Sequence, residues 1–427
     1  MNVFTMLKRG RGICTILLGF LAVAALSLIL SHYGASAAIP AERNDPVRFT
    51  AEYYAAVNER FGVGLNTGIT VSVDGAVRPA LVTDYDVGAL HIGWYSDWMT
   101  SGWTSDRQPL RPGGIEYAQL ITVRAAHYPT NTLLLTETIA ANPGALWIIG
   151  NEPEAKYNQG NRTPDEYAGI YHDMYMLIKG TESEPGLDPT AWIAIGGVIE
   201  PTPLRLQWLE MVLAEYENRY GQEMPVDVWN THVQILQEKA GDFGAEIPAG
   251  IDATEGELYD YFSLETGYYD NANPVIFRRL VTEFRQWMKD KGFQNKPLII
   301  SEYGVLLPST YIGYGDGYGD EDFGDQVLKD FMRETFDFLV NAKDPDLGYP
   351  ADDNRLVQQW LWYSLNDRPY HYDPITGTAA GFNGSLFDYR DPTKLTEFGE
   401  YFRYYMYRLL GLPRIWLPVI TRRVSPS

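Results

Sequence analysis

The sequence predicts an α/β protein that folds as a single (β/α)8 barrel. Three observations favour this class: eight short apolar runs recur along the chain, helix-forming stretches alternate with them, and polar side chains directly follow several of the runs. Parallel strands that are covered on both faces read as continuous apolar runs. A chain of 427 residues with 45% hydrophobic and 21% charged residues can form one such barrel with insertions.

The apolar runs are short enough to be strands. In chain order they are Phe61–Leu65, Ala89–Tyr95, Ala118–Val123, Leu146–Ile149, Trp192–Val198, Val226–Thr231, Pro297–Ile300 and Leu356–Tyr363. The stretch between the first two runs, Thr70–Val87, lacks a clear helical period. It is therefore expected to be either a hairpin or an irregular insertion.

Helices are predicted between these strands. In chain order they cover Thr50–Arg60, Thr132–Ala141, a stretch that begins at Thr163, a stretch that ends at Tyr220, Pro274–Lys289, a stretch that ends at Asn341, and Lys394–Leu410. The clearest start is Thr163-Pro164-Asp165-Glu166. Threonine is a good N-cap, proline suits the first helical position, and acidic residues favour the first turn.

The first 38 residues predict a targeting segment rather than part of the fold. Lys8, Arg9 and Arg11 precede an apolar run from Ile13 to Leu30, and the small residues Ala35-Ser36-Ala37 offer a cleavage site. The run approaches the ~20 residues that cross a bilayer, so an uncleaved membrane anchor is the alternative to a signal peptide. Both readings place the folded domain outside the cytoplasm, as a secreted or membrane-anchored protein.

The predicted domain organisation has three parts. Residues 1–38 form the signal peptide or anchor, residues 45–411 the barrel domain, and residues 412–427 a C-terminal tail expected to pack against the barrel. The only cysteine, Cys14, lies near the start of the apolar run in the first part. The exported domain therefore has no disulfide and no thiol chemistry.

Two glutamates follow buried strands and are the candidate catalytic residues. The run Leu146–Ile149 ends at Gly150-Asn151-Glu152-Pro153, and the run Pro297–Ile300 is followed by Ser301 and Glu302. In a (β/α)8 barrel, residues at the carboxyl ends of the strands carry the chemistry. Two carboxylates so placed are the minimum for glycoside hydrolysis, in which one donates a proton and the other attacks the anomeric carbon.

The Gly150-Asn151-Glu152-Pro153 motif resembles the acid/base signature of clan A, the retaining glycoside hydrolases built on TIM barrels. In that clan the acid/base glutamate, preceded by asparagine, ends strand four, and the nucleophile ends strand seven. The resemblance implies that Glu152 is the acid/base and Glu302 the nucleophile of a double displacement on β-glycosidic bonds. The local matches do not identify a member of the clan or its substrate.

The resemblance also suggests residues that contact the sugar. The predicted substrate-binding residues are Asn151, His232, Trp362, Trp94 and Tyr303. Asn151 matches the clan's asparagine beside the sugar 2-hydroxyl, His232 ends strand six, and Trp362 resembles the sugar-stacking tryptophan. Trp360 shares a strand face with Trp362 and competes for that role. A core position for Trp362 and a structural hydrogen bond for His232 are the alternatives.

Charge and composition limit the partners. The formal charge is −21, or about −24 (−21 less the three basic residues before Ala37), which opposes binding to nucleic acid and to anionic lipid. A neutral poly- or oligosaccharide is favoured as substrate, although a local basic cleft could override the net charge. No cofactor and no metal are predicted. Asp316, Asp320, Glu321 and Asp322 lack the spacing of an EF-hand and read as a solvated loop.

Two functions from different classes follow from the sequence. The first is a secreted retaining glycoside hydrolase, with transglycosylation open to the same covalent intermediate. The second is a non-catalytic glycan-binding cell-surface protein on a degenerate barrel, because a fold does not determine a function. Retention of both Glu152 and Glu302 favours the enzyme, since a binding module has no need of two carboxylates.

Overall fold

The fold is built on buried parallel strands, most of which are followed by helices. The computed structural model describes residues 47–413, except 74, 100–114, 129–131, 158, 260–268, 314–319, 374 and 376–377. These residues all belong to one compact unit that begins at Val47. The predicted signal or anchor segment, 1–38, and most of the predicted tail, 412–427, lie outside them.

The strands are short and mostly buried. In chain order they are β1 Phe61–Gly64, β2 Thr70–Val73, β3 Ala76–Pro79, β4 Trp94–Ser96, β5 Glu116–Tyr117, β6 Gln119–Ile121, β7 Leu146–Asn151, β8 Trp192–Gly197, β9 Trp229–Val233, β10 Leu298–Tyr303, β11 Gln359–Trp362, β12 His371–Asp373, β13 Thr378–Ala380, β14 Phe387–Asp388 and β15 Asp391–Leu395. The helices are α1 Thr132–Ala141, α2 Pro164–Ile178, α3 Pro203–Tyr220, α4 Pro274–Asp290, α5 Ser309–Ile312, α6 Glu321–Asn341 and α7 Glu397–Leu409.

The central strands form two parallel sheets. One has the order β5-β4-β1-β11-β10-β9 and the other the order β6-β7-β8. The single residue Ala118 separates β5 from β6, and parallel bridges join Ala194 to Val228 and Val198 to Thr231 between β8 and β9. The chain is therefore an α/β protein with parallel sheets, as predicted. The remaining strands pair as the antiparallel hairpins β2–β3, β12–β13 and β14–β15.

Strand β7 shows why these strands read as continuous apolar runs. Leu146 and Ile148 belong to one buried cluster, together with Trp94 and Leu361, which is the inner cluster. Trp147 and Ile149 point to the opposite face and belong to a larger cluster, the outer cluster, which includes helix residues such as those of α2 and α3. Because both faces are buried, both sets of alternating side chains are apolar.

Most predicted helices and strands are confirmed, with shifts at their ends. Helix α1 has the predicted bounds, and α2 begins after Thr163, which forms a capping box with Glu166. The undecided stretch Thr70–Val87 contains the hairpin β2–β3. The second central strand begins at Trp94 rather than Ala89, because Asp86 caps a 3-10 turn over Val87–Leu90 instead.

The helix predicted over Thr50–Arg60 is wrong, because only a 3-10 turn, Val57–Arg60, forms there. Phe49 adopts a left-handed backbone (φ 65°), and the Tyr54 ring lies under the guanidinium of Arg60 at 3.8 Å. The last helix also starts later than predicted, at Glu397, since Lys394 belongs to strand β15. Contacts of an aromatic and a charged side chain override weak helical periodicity at the first place, and strand pairing of β15 with β14 overrides it at the second.

A buried ion pair ties the start of β1 to the loop before β11. Both guanidinium nitrogens of Arg60 donate to Asp352, at 2.7 and 2.6 Å. Gln358 donates to the same carboxylate at 3.2 Å, and its carbonyl accepts from Arg60 at 3.1 Å. The pair joins residues 292 positions apart, so it helps to hold β1 beside β11. Among the described residues, no helix combines the length and apolar character that crossing a bilayer requires.

We expect Asp352→Asn to lower the free energy of unfolding by about 3 kcal/mol, because it leaves the Arg60 charge buried without a counter-ion. Asp353→Asn is the matched control, since the neighbouring Asp353 is exposed and its contact with Lys343 is 3.6 Å long. Urea unfolding of both variants measures the difference. Equal unfolding midpoints for the two variants would show that the buried pair contributes nothing beyond a surface charge.

Candidate active site

The site lies at the carboxyl ends of three parallel strands. Strand β7 ends at Asn151, directly before Glu152, while β9 carries His232 and β10 carries Ser301 and Glu302. Strands β9 and β10 are neighbours, and Glu302 is in register with His232. The predicted catalytic glutamates and the predicted histidine are thus brought together by the fold.

The three titratable groups form a tight buried cluster. A carboxylate oxygen of Glu152, a ring nitrogen of His232 and a carboxylate oxygen of Glu302 all lie within 4.8 Å of one another. Nδ1 of His232 is hydrogen-bonded to Oε1 of Glu152 at 3.0 Å, and its Nε2 to Oγ of Ser301 at 3.1 Å. The imidazole is 1% exposed. On strand β8, a Cβ at Gly197 would lie 2.6 Å from the ring, so only glycine leaves room for it.

Glu302 has hydrogen-bond partners of its own. Nε2 of Gln234 donates to its Oε1 at 2.8 Å, and the side chain of Trp98 donates to the same carboxylate. Sequence reasoning missed both residues. Gln234 follows His232 by two positions, and that strand spacing could have indicated it. Trp98 has a left-handed backbone (φ 56°), which its sequence does not signal.

Burial and charge set the protonation of the cluster. Burial raises the pKa of Glu302 to about 7; the charge of His232 and the donors Trp98 and Gln234 oppose this rise, and Glu152 adds to it. For His232, burial lowers the pKa, but Glu302 and the hydrogen-bonded Glu152 outweigh burial and raise it. The raised pKa values of Glu302 and His232 both mean that these two groups bind a proton more readily than the same side chains do in water.

The backbone at Glu152 is strained. Its φ is 42°, and the preceding Gly150 has a φ of 99°. The strained turn is held at both ends, because the Glu152 amide donates to the Gly197 carbonyl at 3.0 Å and the Gly160 amide donates to the Glu152 carbonyl at 3.2 Å. Backbone strain of this kind is concentrated at functional sites.

A register irregularity aims Glu302 at the site. The pairing of β10 with β9 shifts between Ile300 and Glu302. Ile299 faces the inner cluster, whereas Tyr303 packs in the outer cluster with Ile300, against the strict alternation of a regular strand. Such irregularities re-aim side chains beside active sites.

A second group of buried carboxylates lies behind the β7 turn. Glu154 accepts from Arg205 at 3.0 Å and from the Ile199 amide at 2.9 Å. Arg205 also pairs with Glu238, while Glu200 accepts from the Leu236 amide at 2.8 Å. All four side chains are 0% exposed. The network anchors the chain two residues beyond Glu152 to α3 and to the loop after β9.

Glu200 is the protonated member of this network. Burial raises its pKa to about 8; Arg205 opposes the rise, Glu238 and Glu154 add to it, and the Leu236 amide opposes it. Burial likewise raises the pKa of Glu154, against the charge of Arg205. A single guanidinium cannot balance three ionised carboxylates, so one of them keeps its proton at neutral pH.

The glutamates open into a cleft of about 940 Å³. Its aromatic lining includes Trp98, Tyr363 and Phe382 on one side and Tyr157 and Phe243 on the other. Trp98 and Tyr363 lie 5.6 Å apart between ring centroids, and Tyr363 and Phe382 lie 5.8 Å apart. Aromatic faces suit the C–H faces of sugar rings, although packing alone explains some of these contacts.

Asn151, a predicted substrate-binding residue, lies in the wall of the cleft. Its Nδ2 donates to Oε1 of Gln159 at 3.1 Å, whereas its Oδ1 has no partner among the described residues. The Oδ1 atom can therefore accept a hydrogen bond from a hydroxyl of a bound ligand.

The structure does not bring three other predicted residues to the cleft. Trp94 fills the inner core, where its Nε1 donates to the Arg60 carbonyl at 3.1 Å. Trp362 packs outward against Tyr303 and donates to the Gly384 carbonyl at 2.9 Å. All three side chains are 0% exposed. They are core residues because their strand faces point to the inner core or to the helices.

Three of the four acidic residues that were predicted to form a solvated loop lie at the start of helix α6 instead. Asp320 caps α6 by accepting from the Phe323 amide at 3.1 Å, and Glu321 and Asp322 are exposed in its first turn. Asp316 lies outside the described residues.

No protein-family model matches the chain, and no curated protein matches it. Among solved structures, a GH128 (subgroup I) endo-beta-1,3-glucanase from Amycolatopsis mediterranei in complex with laminaritriose is 14% identical; the match covers 81% of this chain and 99% of that protein, with a TM-score of 0.45. A glucosidase from Croceicoccus marinus is 12% identical, over 83% of this chain and 70% of that protein, with a TM-score of 0.46.

A GH128 (subgroup VII) oligosaccharide-binding protein from Trichoderma gamsii is 9% identical, over 82% of this chain and 94% of that protein, with a TM-score of 0.40. The structural neighbours thus include endo-β-1,3-glucanases and a glucosidase, as well as a binding protein. Likeness at this level does not transfer an activity.

We expect the free energy of unfolding to fall between about pH 4.5 and about pH 8 through Glu200, because its pKa is raised in the folded state and the folded chain binds the extra proton. The stabilisation that the bound proton of Glu200 provides is complete below the pKa of Glu200 in the unfolded chain, and it is lost as the pH rises through about 8. Glu200→Gln keeps a neutral side chain, so its stability relative to the wild type should rise by a few kcal/mol from pH 5 to pH 9.

Urea unfolding at several pH values measures this difference, with Glu223→Gln as control, since Glu223 is exposed in the turn after α3. A constant difference between Glu200→Gln and the wild type over this range would show that Glu200 is ionised in the folded protein.

Proposed function

We propose that the protein is a retaining glycoside hydrolase that cleaves β-glycosidic bonds, with Glu152 as acid/base and Glu302 as nucleophile. The observation that carries the proposal is the approach of the two carboxylates to within 4.8 Å at the ends of parallel strands inside a cleft. Retaining enzymes hold their carboxyl groups about 5–5.5 Å apart, whereas inverting enzymes need about 6.5–9.5 Å for an intervening water. The short separation favours retention.

We propose further that the central strands close into a (β/α)8 barrel. Pairing runs from β1 through β4, β5/β6, β7, β8, β9, β10 and β11, and β11 pairs with β1 again. The link between β8 and β9 rests on the two bridges and on amide hydrogen bonds such as Ile195 to the Val228 carbonyl at 3.2 Å. In such a barrel the carboxyl ends of all strands meet at one face, which suits the position of the site.

In the first step of the proposed reaction, a carboxylate oxygen of Glu302 attacks the anomeric carbon while Glu152 donates its proton to the glycosidic oxygen. The bond to the leaving group breaks, and an ester joins the sugar to Glu302. In the second step Glu152 takes a proton from water as the water oxygen attacks the same carbon, and Glu302 leaves as a carboxylate. The two inversions give net retention.

The hydrogen bonds of the site support this division of roles. Gln234 and Trp98 donate to Glu302, and such donors favour the ionised form that a nucleophile requires. Glu152 is hydrogen-bonded instead to Nδ1 of His232, at 3.0 Å. Because burial raises the pKa of Glu302 to about 7, the donors Gln234 and Trp98 help to keep the proposed nucleophile ionised near neutral pH.

We also propose that the catalytic domain acts outside the cytoplasm, as a secreted or membrane-anchored protein. The basic residues before Ile13, the apolar run to Leu30 and the small residues at Ala35-Ser36-Ala37 support this location.

We expect a 2-fluoro β-glycoside of the correct sugar to form a covalent adduct on Glu302, because the fluorine slows breakdown of the glycosyl-enzyme more than it prevents capture by the nucleophile. Intact-mass spectrometry with peptide mapping, over a panel of sugars, measures the adduct and identifies the sugar. Glu302→Gln should form none, and Glu223→Gln should react like the wild type.

An adduct on Glu152 would reverse the proposed roles. Glycan binding without an adduct from any sugar, and without hydrolysis, would favour the non-catalytic binding protein.

We expect kcat/KM to fall as the pH drops below about 7, because protonation of Glu302 removes the nucleophile. Gln234→Leu removes a donor that stabilises the ionised carboxylate, so it should move this acidic limb upward by about one pH unit. Gln326→Leu is the control, since Gln326 is exposed on α6. Initial rates over pH 4–9 measure the limb, and an unchanged limb in Gln234→Leu would show that Gln234 does not set the pKa of Glu302.

A further inference from the structure

We propose that the leaving-group side of the cleft binds a glycan unit that carries an anionic substituent, such as the carboxylate of a uronic acid or a sulfate ester. The inference rests on the proposed function, because the roles of Glu152 and Glu302 determine which side of the cleft holds the leaving group. It also refines that function. The net charge of the whole chain favours a neutral glycan, whereas the charges at one side of the cleft favour an anionic unit.

The charges that line the cleft differ from those of the whole chain. The chain has 55 acidic and 34 basic residues. Among the described residues that line the cleft, however, the acidic ones are only Glu152 and Glu302, whereas Arg124 and Lys156 are cationic. Apart from the two glutamates of the proposed reaction, the Asp, Glu, Lys and Arg side chains of this described lining are thus all positively charged.

The cationic groups lie on the side of Glu152. Arg124 and His127 belong to one turn after β6, in which the His127 amide donates to the Arg124 carbonyl at 2.9 Å. Lys156 follows Glu152 after β7, the strand that pairs with β6. A general acid must reach the glycosidic oxygen, so the neighbourhood of Glu152 is where the leaving group lies.

On the opposite side of the cleft, the described part of the lining carries aromatic rings and no cation. Trp98 follows β4 and Tyr363 follows β11, the two strands that flank β1, and Phe382 lies beside Tyr363. The cations therefore lie on the side of the leaving group, and the aromatic rings lie on the side of the sugar that becomes bound to Glu302.

Neither Arg124 nor Lys156 makes a close ion pair with another described residue. The turn after β6 is held by Arg162, whose Nε donates to the Val123 carbonyl at 2.7 Å, while Arg124 is exposed and has no carboxylate partner among the described residues. Lys156 reaches Glu246 only at 4.0 Å, the edge of an ion pair, and its side chain is 35% exposed. Both can turn to a ligand without breaking a strong contact.

Arginine and lysine suit an anionic substituent on a sugar. A guanidinium binds a carboxylate or sulfate through two parallel hydrogen bonds, and an ammonium adds a mobile point charge. Next to them, Tyr157 and Phe243 are 65% and 62% exposed and offer apolar faces to the ring that bears the substituent. A chain with this net charge repels a polyanion over long range, so local cations are required where one binds.

The test uses aryl β-glycosides of the sugar that the trapping experiment identifies. The 4-carboxyphenyl glycoside carries an anion on the leaving group, and its methyl ester is the neutral counterpart of nearly the same shape. The kcat/KM of the 4-carboxyphenyl glycoside is divided by that of its methyl ester. This ratio is measured for the wild type and for the Arg124→Gln/Lys156→Gln double variant. We expect the ratio to fall about tenfold in the double variant, the size of two partly exposed charge contacts.

The matched control is Lys289→Gln/Arg390→Gln, since both residues are exposed and neither lines the cleft. It should keep the wild-type ratio, and 0.5 M NaCl should bring the wild-type ratio towards that of the Arg124→Gln/Lys156→Gln variant. A 4-sulfophenyl glycoside distinguishes the two sources of the anion: a larger effect with the sulfonate points to a sulfated glycan, and a larger effect with the carboxylate to a uronate.

Equal ratios in the wild type and the Arg124→Gln/Lys156→Gln variant, with the ester still hydrolysed, would overturn this inference and leave the proposed function standing. If the wild type hydrolyses neither glycoside, the proposed function fails, and calorimetric binding of the 4-carboxyphenyl glycoside decides the inference instead. Binding that the double variant loses would support an anionic-glycan site, and binding that it keeps, or no binding, would overturn it.

Discussion

Burial of like charges is the constraint on which the site depends. Glu152 and Glu302 are 7% and 9% exposed, and their carboxylates lie within 4.8 Å of each other. Ionisation of both is unfavourable there, because each loses hydration and repels the other. Both are nearly buried, and their hydrogen-bond partners differ: Glu302 accepts from N–H donors, whereas Glu152 is bonded to the imidazole of His232.

The fold holds this arrangement by local departures from regular geometry. Strand β10 shifts register before Glu302, and the chain turns through a left-handed residue at Glu152. Neither would persist without surrounding contacts that over-determine it. The Arg205 network supplies such contacts behind Glu152, and its buried carboxylates tolerate one another only because Arg205 is close and Glu200 is protonated.

The apolar runs, and the glycine, proline and polar residues that end them, predicted the strands and the residues at their ends. Glu152, His232 and Glu302 were found in this way. The same patterns did not predict orientation. Trp360 and Trp362 were expected to share one strand face, and both do belong to the outer cluster, while Leu361 faces the inner one. Which face is which depends on register, and one residue of shift exchanges them. Trp98 was missed because it lies in a loop, whose path is set by tertiary contacts. Gln234 directly follows β9, and only its two-residue spacing from His232 pointed to the site.

The two sides of the cleft impose different demands on a ligand, and the difference has a physical origin. Stacking on an aromatic ring depends on shape and tolerates many sugars, whereas a cation discriminates by charge. On the aromatic side, Trp98 also donates to Glu302, so a residue of the aromatic wall favours the ionised form of that carboxylate. On the other side, Arg124 and Lys156 select a ligand by its charge, so the two sides together impose a direction on a glycan that carries an anion at only one end.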